Sequence, residues 1–81
     1  MKVVQYTKAA SKVLERMQPK RRAAIRSKVD AFARGEPVDV KKLRGSAYLR
    51  IRVGDDRVII DDKTLMVIVI EVGSRGGIYK E

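Results

Sequence analysis

The apolar residues of this chain change their spacing once, and that change limits the folds open to it. Between Lys8 and Met17, Ala10, Val13, Leu14 and Met17 fall at i, i+3, i+4 and i+7. Further on, Ile25, Val29, Phe32 and Ala33 fall at i, i+4, i+7 and i+8. Both patterns place one apolar stripe along a helix of about 3.6 residues per turn. Beyond Gly45 the period drops to two. Ala47, Leu49, Ile51 and Val53 alternate with Tyr48, Arg50 and Arg52, the pattern of a strand with one apolar face. A chain that spends its first half on helices and its second on strands is an α+β domain, with the helices segregated to one face of the sheet.

The residues between these segments supply start and stop signals. Val3-Val4-Gln5-Tyr6 is short and β-prone and runs into Thr7, a good N-cap. Gln18 and Pro19 end the first helix, and Pro19 suits the first position of the second. Gly35 is the expected C′ residue, and Pro37 bars continuation. Residues 36–45 read as a loop. Gly54-Asp55-Asp56 reads as a hairpin turn, Arg57 to Asp61 as its second strand, and Asp62-Lys63 as the next turn. Thr64 to Val72 is almost continuously apolar and β-branched, which predicts a central strand buried on both faces. Gly73, Gly76 and Gly77 loosen the chain before Ile78-Tyr79. The expected order is β-α-α-β-β-β: one domain over residues 1–81, a helical hairpin packed on one face of a small, mainly antiparallel sheet.

Composition narrows the chemistry. With 81 residues and no Cys, the chain has neither disulfide nor thiolate metal site to support a small core. Without His it lacks the usual general base and the commonest metal ligand, so triad hydrolases and zinc enzymes are excluded and no metal is expected. The longest uninterrupted apolar run, Leu65 to Ile70, is far short of the roughly 18 residues of a membrane span. No signal-peptide pattern opens the chain, so a cytoplasmic location is expected.

A net charge of +9 calls for a polyanionic partner. That charge is uneven. Residues 8–34 carry nine bases against two acids, whereas residues 54–81 carry four against six. The helix bases Lys20, Arg21, Arg22 and Arg26 form either a solvated face or a phosphate-docking surface. On the sheet, Tyr48, Arg50 and Arg52 share one face, and the tight turn returns Arg57 beside them. Guanidiniums so close repel unless carboxylates interleave or a polyanion docks. Asp55, Asp56, Asp61 and Glu71 are the carboxylates available.

The stretch KLRGSAYLRIRVGDDRVII, followed by VIEVGSRGGIYK, closely resembles the RelE/ParE toxin superfamily, and the resemblance covers essentially the whole chain. It implies the toxin half of a type II toxin-antitoxin pair, silenced by a cognate antitoxin. RelE-like members cut messenger RNA on the ribosome without metal or cofactor; ParE-like members poison DNA gyrase; a degenerate member only binds its antitoxin. The RelE-like reading implies that Arg50 and Arg52 match the family's basic pair before the turn. Arg57 then matches its arginine after the turn, Arg75 the basic residue of the glycine-bounded loop, and Tyr79 the near-terminal tyrosine. It also implies that Lys20, Arg21, Arg22, Arg26, Lys42 and Arg44 contact RNA or ribosome. Two positions depart from the family pattern: Asp56 stands where many members have an aromatic, and Ser74 where many have His, Lys or Pro.

Overall fold

A computed structural model of the chain describes residues 1–74. The order is β1 (Val3–Tyr6), α1 (Lys8–Arg16), α2 (Pro19–Ala33), β2 (Val40–Lys42), β3 (Leu49–Val53), β4 (Asp56–Asp62) and β5 (Met66–Ser74). The strands form one sheet ordered β1-β5-β4-β3-β2, in which β1 runs parallel to β5 and every other pair is antiparallel. α1 lies against β5, and α2 against β3 and β1, all on one face. Ala10 and Leu14 of α1 and Ile25, Val29 and Ala33 of α2 meet Ile51, Val58, Ile60, Val67, Val69 and Val72 of the sheet in a single core.

The helix ends follow the sequence closely. Thr7 caps α1: its hydroxyl accepts from the Ala10 amide at 3.1 Å and donates to the Ile70 carbonyl at 3.0 Å. One side chain thus satisfies a helix N-terminus and a strand carbonyl. Pro19 opens α2. Gly35, at φ +82°, closes it in a Schellman arrangement. There the Gly35 amide donates to the Phe32 carbonyl at 3.0 Å and the Glu36 amide to the Ala31 carbonyl at 2.9 Å. The stripe on α1 is narrower than the spacing predicts, because Val13 remains 37% exposed.

Three strand expectations need correction. Residues 36–45 are not all loop, since β2 lies within them. Val38 and Val40 pack against the core and alternate with Asp39 and Lys41, a period of two too short to stand out. The next strand begins at Leu49 rather than Ala47. Ala47 is exposed, the Ser46 amide donates to the Leu43 carbonyl at 3.3 Å across the turn that contains Gly45, and the Tyr48 amide donates to the Ser46 hydroxyl at 3.0 Å. Asp56 belongs to β4 rather than to the turn. It pairs with Val53 across the two-residue loop Gly54-Asp55, whose positive φ falls only at Gly54, as in a type II′ hairpin.

The largest correction concerns β5, which is not buried on both faces. Val67, Val69 and Val72 are buried, Met66, Ile68 and Ile70 only half-buried, and Glu71 is exposed. Ile59 pairs with Glu71 while Ile60 pairs with Val69, so Ile70 is an extra residue in a β-bulge. The bulge shifts the alternation by one, so that Val69 and Val72 both face the helices despite being three apart. A run that looked two-sided is a one-sided strand with its phase reset.

Candidate active site on the open sheet face

The helices cover one face of the sheet, and alternation sends Arg50, Arg52, Arg57, Ile59 and Glu71 to the other. Cross-strand register arranges these residues in two rows. In one, Lys41, Arg50, Ile59 and Glu71 stand directly opposite one another across β2, β3, β4 and β5. In the next, Arg52 of β3 faces Arg57 of β4, which faces Gly73 of β5. The sheet therefore holds two like-charged pairs, Lys41 with Arg50 and Arg52 with Arg57. Like charges directly opposite destabilise a ladder.

The second pair is the closer kind. The Arg52 amide donates to the Asp39 carbonyl at 2.9 Å, so the backbone polar groups of Arg52 point away from β4. Non-hydrogen-bonded partners in an antiparallel ladder approach to about 4.5 Å between Cα atoms, with their side chains adjacent.

Two of the four carboxylates offered as partners are engaged elsewhere, and Glu71 stands on this face opposite Ile59. Asp56 is bound by Arg21, and Asp61 pairs with Lys63 at 3.2 Å. Among the described residues, neither Arg50 nor Arg52 forms an ion pair, and the Arg50 Nε is buried with no hydrogen-bond acceptor. Ile59 is 3% exposed yet stands on this face, flanked in register by Arg50 and Glu71. A buried apolar floor beneath cations keeps the local dielectric low and strengthens their pull on an anion.

The helix bases are placed differently. Arg21 grips Asp56 through both carboxylate oxygens, with Nε donating to Oδ2 at 3.1 Å and Nη2 to Oδ1. That contact holds the Arg21 guanidinium more firmly protonated than usual, chiefly through the hydrogen bond. Arg22 Nη1 donates to the Leu14 carbonyl at 3.2 Å, a second donor at the end of α1 beside the Met17 amide at 3.1 Å. Arg26 lies over the Tyr6 ring, 4.9 Å from its centroid. Burial raises the Tyr6 phenol pKa, partly opposed by the positive charge of Arg26. Lys20 is exposed.

Lys42 and Arg44 are exposed as well, but register puts Lys42 opposite Leu49, on the face away from Arg50. Lys41 is the base that joins the arginines. Reading residues 36–45 as loop hid it, although the alternation of Val38 and Val40 with Asp39 and Lys41 carried the signal. Arg75 and Tyr79 lie outside the described residues.

No family model matches the chain, and no curated protein matches it. Solved structures do. The RelB-RelE antitoxin-toxin complex from Methanococcus jannaschii matches at 26% identity over 93% of this chain and 94% of that one, with a TM-score of 0.77. The toxin-antitoxin complex RelBE2 from Mycobacterium tuberculosis matches at 25% identity over 91% and 98%, with a TM-score of 0.76. The archaeal RelE-RelB complex from Pyrococcus horikoshii matches at 25% identity over 94% and 97%, with a TM-score of 0.74. These likenesses span nearly the full length of both partners and agree with the sequence pattern around the β3–β4 hairpin. The chain belongs to the RelE-like toxin superfamily.

Proposed function

We propose that this chain is the toxin of a type II toxin-antitoxin pair, a metal-independent endoribonuclease that cuts messenger RNA on the ribosome. The observation that carries the reading is the open sheet face, where Lys41 stands opposite Arg50 and where neither Arg50 nor Arg52 forms an ion pair among the described residues, an arrangement that a phosphodiester backbone relieves. The reaction needs neither histidine nor cofactor. The 2′-hydroxyl of one nucleotide gives up its proton as it attacks the adjacent phosphorus, the bond to the 5′-oxygen of the next breaks, and that oxygen takes a proton, leaving a 2′,3′-cyclic phosphate and a 5′-hydroxyl. Arg57, with Arg75, stabilises the charge that builds on the phosphorane-like transition state. Arg50 and Arg52 hold the backbone, and Tyr79 handles a proton. Exposed Lys20, Lys42 and Arg44 supply non-specific attraction to RNA.

The solved relatives contain RelB antitoxins. By analogy, an antitoxin neutralises this chain in the cytoplasm, where ribosomes and mRNA are found, and adds apolar contact to a small core. Induced expression followed by mapping of mRNA 5′ ends tests the activity. Cuts in phase with codons are expected. Intact mRNA with gyrase-linked DNA damage would instead make it a ParE-like poison, and an absence of any phenotype would make it an antitoxin-binding remnant.

A further inference from the structure

Glu71 stands on the cationic face only because β5 is irregular. Val67 and Val69 point to the helices, and strict alternation would send Glu71 after them into the core. The extra residue Ile70 resets the phase, so Val72 takes the core position and Glu71 turns to the open side. The bulge is held from the helix side: the Thr7 hydroxyl donates to the Ile70 carbonyl at 3.0 Å and the Thr7 amide to the Val69 carbonyl at 3.0 Å. Glu71 is exposed and forms no ion pair among the described residues.

Register sets its surroundings on that face. The buried Ile59 stands directly opposite on β4, and Arg50 lies one strand further, on β3. At about 4.8 Å per strand, the backbones of Arg50 and Glu71 are roughly 10 Å apart, with an apolar floor between them. That span accommodates a phosphate against the guanidinium and the neighbouring ribose 2′-hydroxyl, about 3 Å from the phosphorus, against the carboxylate. Arg57 is two places along β4 from Ile59, and β1 contributes no group here because it ends at Tyr6, opposite Val69. Two other acids share the face. Asp61 is paired with Lys63 at 3.2 Å, and Asp39 stands beyond Arg52 at the sheet edge.

We propose that Glu71 is the general base of the reaction, a role that rests on the nuclease reading and that no arginine can fill, because a guanidinium does not deprotonate. Its carboxylate takes the 2′-hydroxyl proton as the O2′–P bond forms. The P–O5′ bond breaks, the departing oxygen receives a proton from Tyr79, and Glu71 returns its own proton to solvent, from which the tyrosine is restored. The guanidiniums bind the phosphate and meet the charge it gains, and Glu71 supplies the proton acceptor they lack.

Single-turnover cleavage of ribosome-bound mRNA by Glu71→Gln, Glu71→Asp and Asp39→Asn tests the assignment, with urea unfolding to verify that each variant is folded. Glu71→Gln keeps the shape and loses the acceptor, so its rate at saturating protein is expected to fall by about a hundred- to ten-thousandfold. The concentration giving half that rate is expected to stay the same or fall, since a negative charge has left an RNA-binding face. Glu71→Asp, which keeps an acceptor on a shorter arm, is expected to recover part of the rate. Asp39→Asn removes the same charge from the same face and is expected to cleave at a near-native rate. Native or faster maximal cleavage by Glu71→Gln overturns the proposal and makes Glu71 a charge-balancing residue. An equal loss in Asp39→Asn overturns it too, because net charge rather than proton transfer is then what the face requires. If the native protein cleaves nothing, the nuclease reading fails and the assignment of Glu71 falls with it.

Discussion

The helical hairpin and the open sheet face both carry clustered positive charge, but they handle it in opposite ways. On the hairpin, Arg21 is forked to a buried carboxylate, Arg22 closes a helix end and Arg26 covers an aromatic ring. On the sheet, Arg50 and Arg52 form no ion pair among the described residues, and register sets cation against cation. The first region converts charge into fold; the second retains charge that the fold alone does not satisfy. Charge density by itself therefore locates no site, because in the denser region Arg21, Arg22 and Arg26 are already employed by the fold.

Substitutions should break this contrast in graded steps. The largest effect is expected at Arg57. Arg57→Ala should lower cleavage by about a hundred- to a thousandfold, the usual cost of one donor to transition-state charge. Its unfolding free energy should change by less than about 1 kcal/mol. Growth arrest at native strength by that variant would remove Arg57 from the site. Next comes Thr7, whose hydroxyl serves both a helix cap and the bulge carbonyl. Thr7→Ala should cost about 1–2 kcal/mol in urea unfolding. Val69 and Val72 share the core side of β5 through the same bulge.

Smaller effects are expected on the hairpin. Arg22→Ala should cost about 1 kcal/mol of stability through the lost bond to Leu14, readable as a lower unfolding midpoint. Arg26→Ala should cost about 0.5–1 kcal/mol, the worth of an exposed cation–π contact. It should also move the Tyr6 phenol further up, because Arg26 now opposes the upward push of burial. The linkage has a definite sign. Tyr6 is neutral in the fold to higher pH than in the unfolded chain, so its contribution is present below pH 10 and disappears as pH rises through the folded pKa. Absorbance titration against Tyr6→Phe isolates that phenol.

Much of the fold was legible because its signals are local. Thr7, Pro19 and Gly35 do at their positions what a cap, a first helical residue and a C′ glycine do in any chain, and the two apolar periods fixed which elements lay where. The face occupied by Arg50 and Arg52 was legible for the same reason, since alternation needs no knowledge of the neighbours. β2 was missed because three residues give too little periodicity to read. The nature of β5 was missed because a bulge is visible only when two strands are set in register. Without it, Val67 to Val72 reads as a run apolar on both sides.

The roles of the basic residues divide along the same line. The sequence by itself determined that this is a small α+β domain with a helical hairpin before a sheet, with strong positive charge and no histidine or cysteine chemistry. Those properties depend on residue type and near-neighbour spacing. Only the tertiary structure decided that Arg21 belongs to Asp56, 35 positions away, that Lys41 joins Arg50, and that Arg52 faces Arg57. An ion pair or a cross-strand contact is a matter of distance in space, and the chain must first fold before a cation has either a carboxylate or another cation beside it.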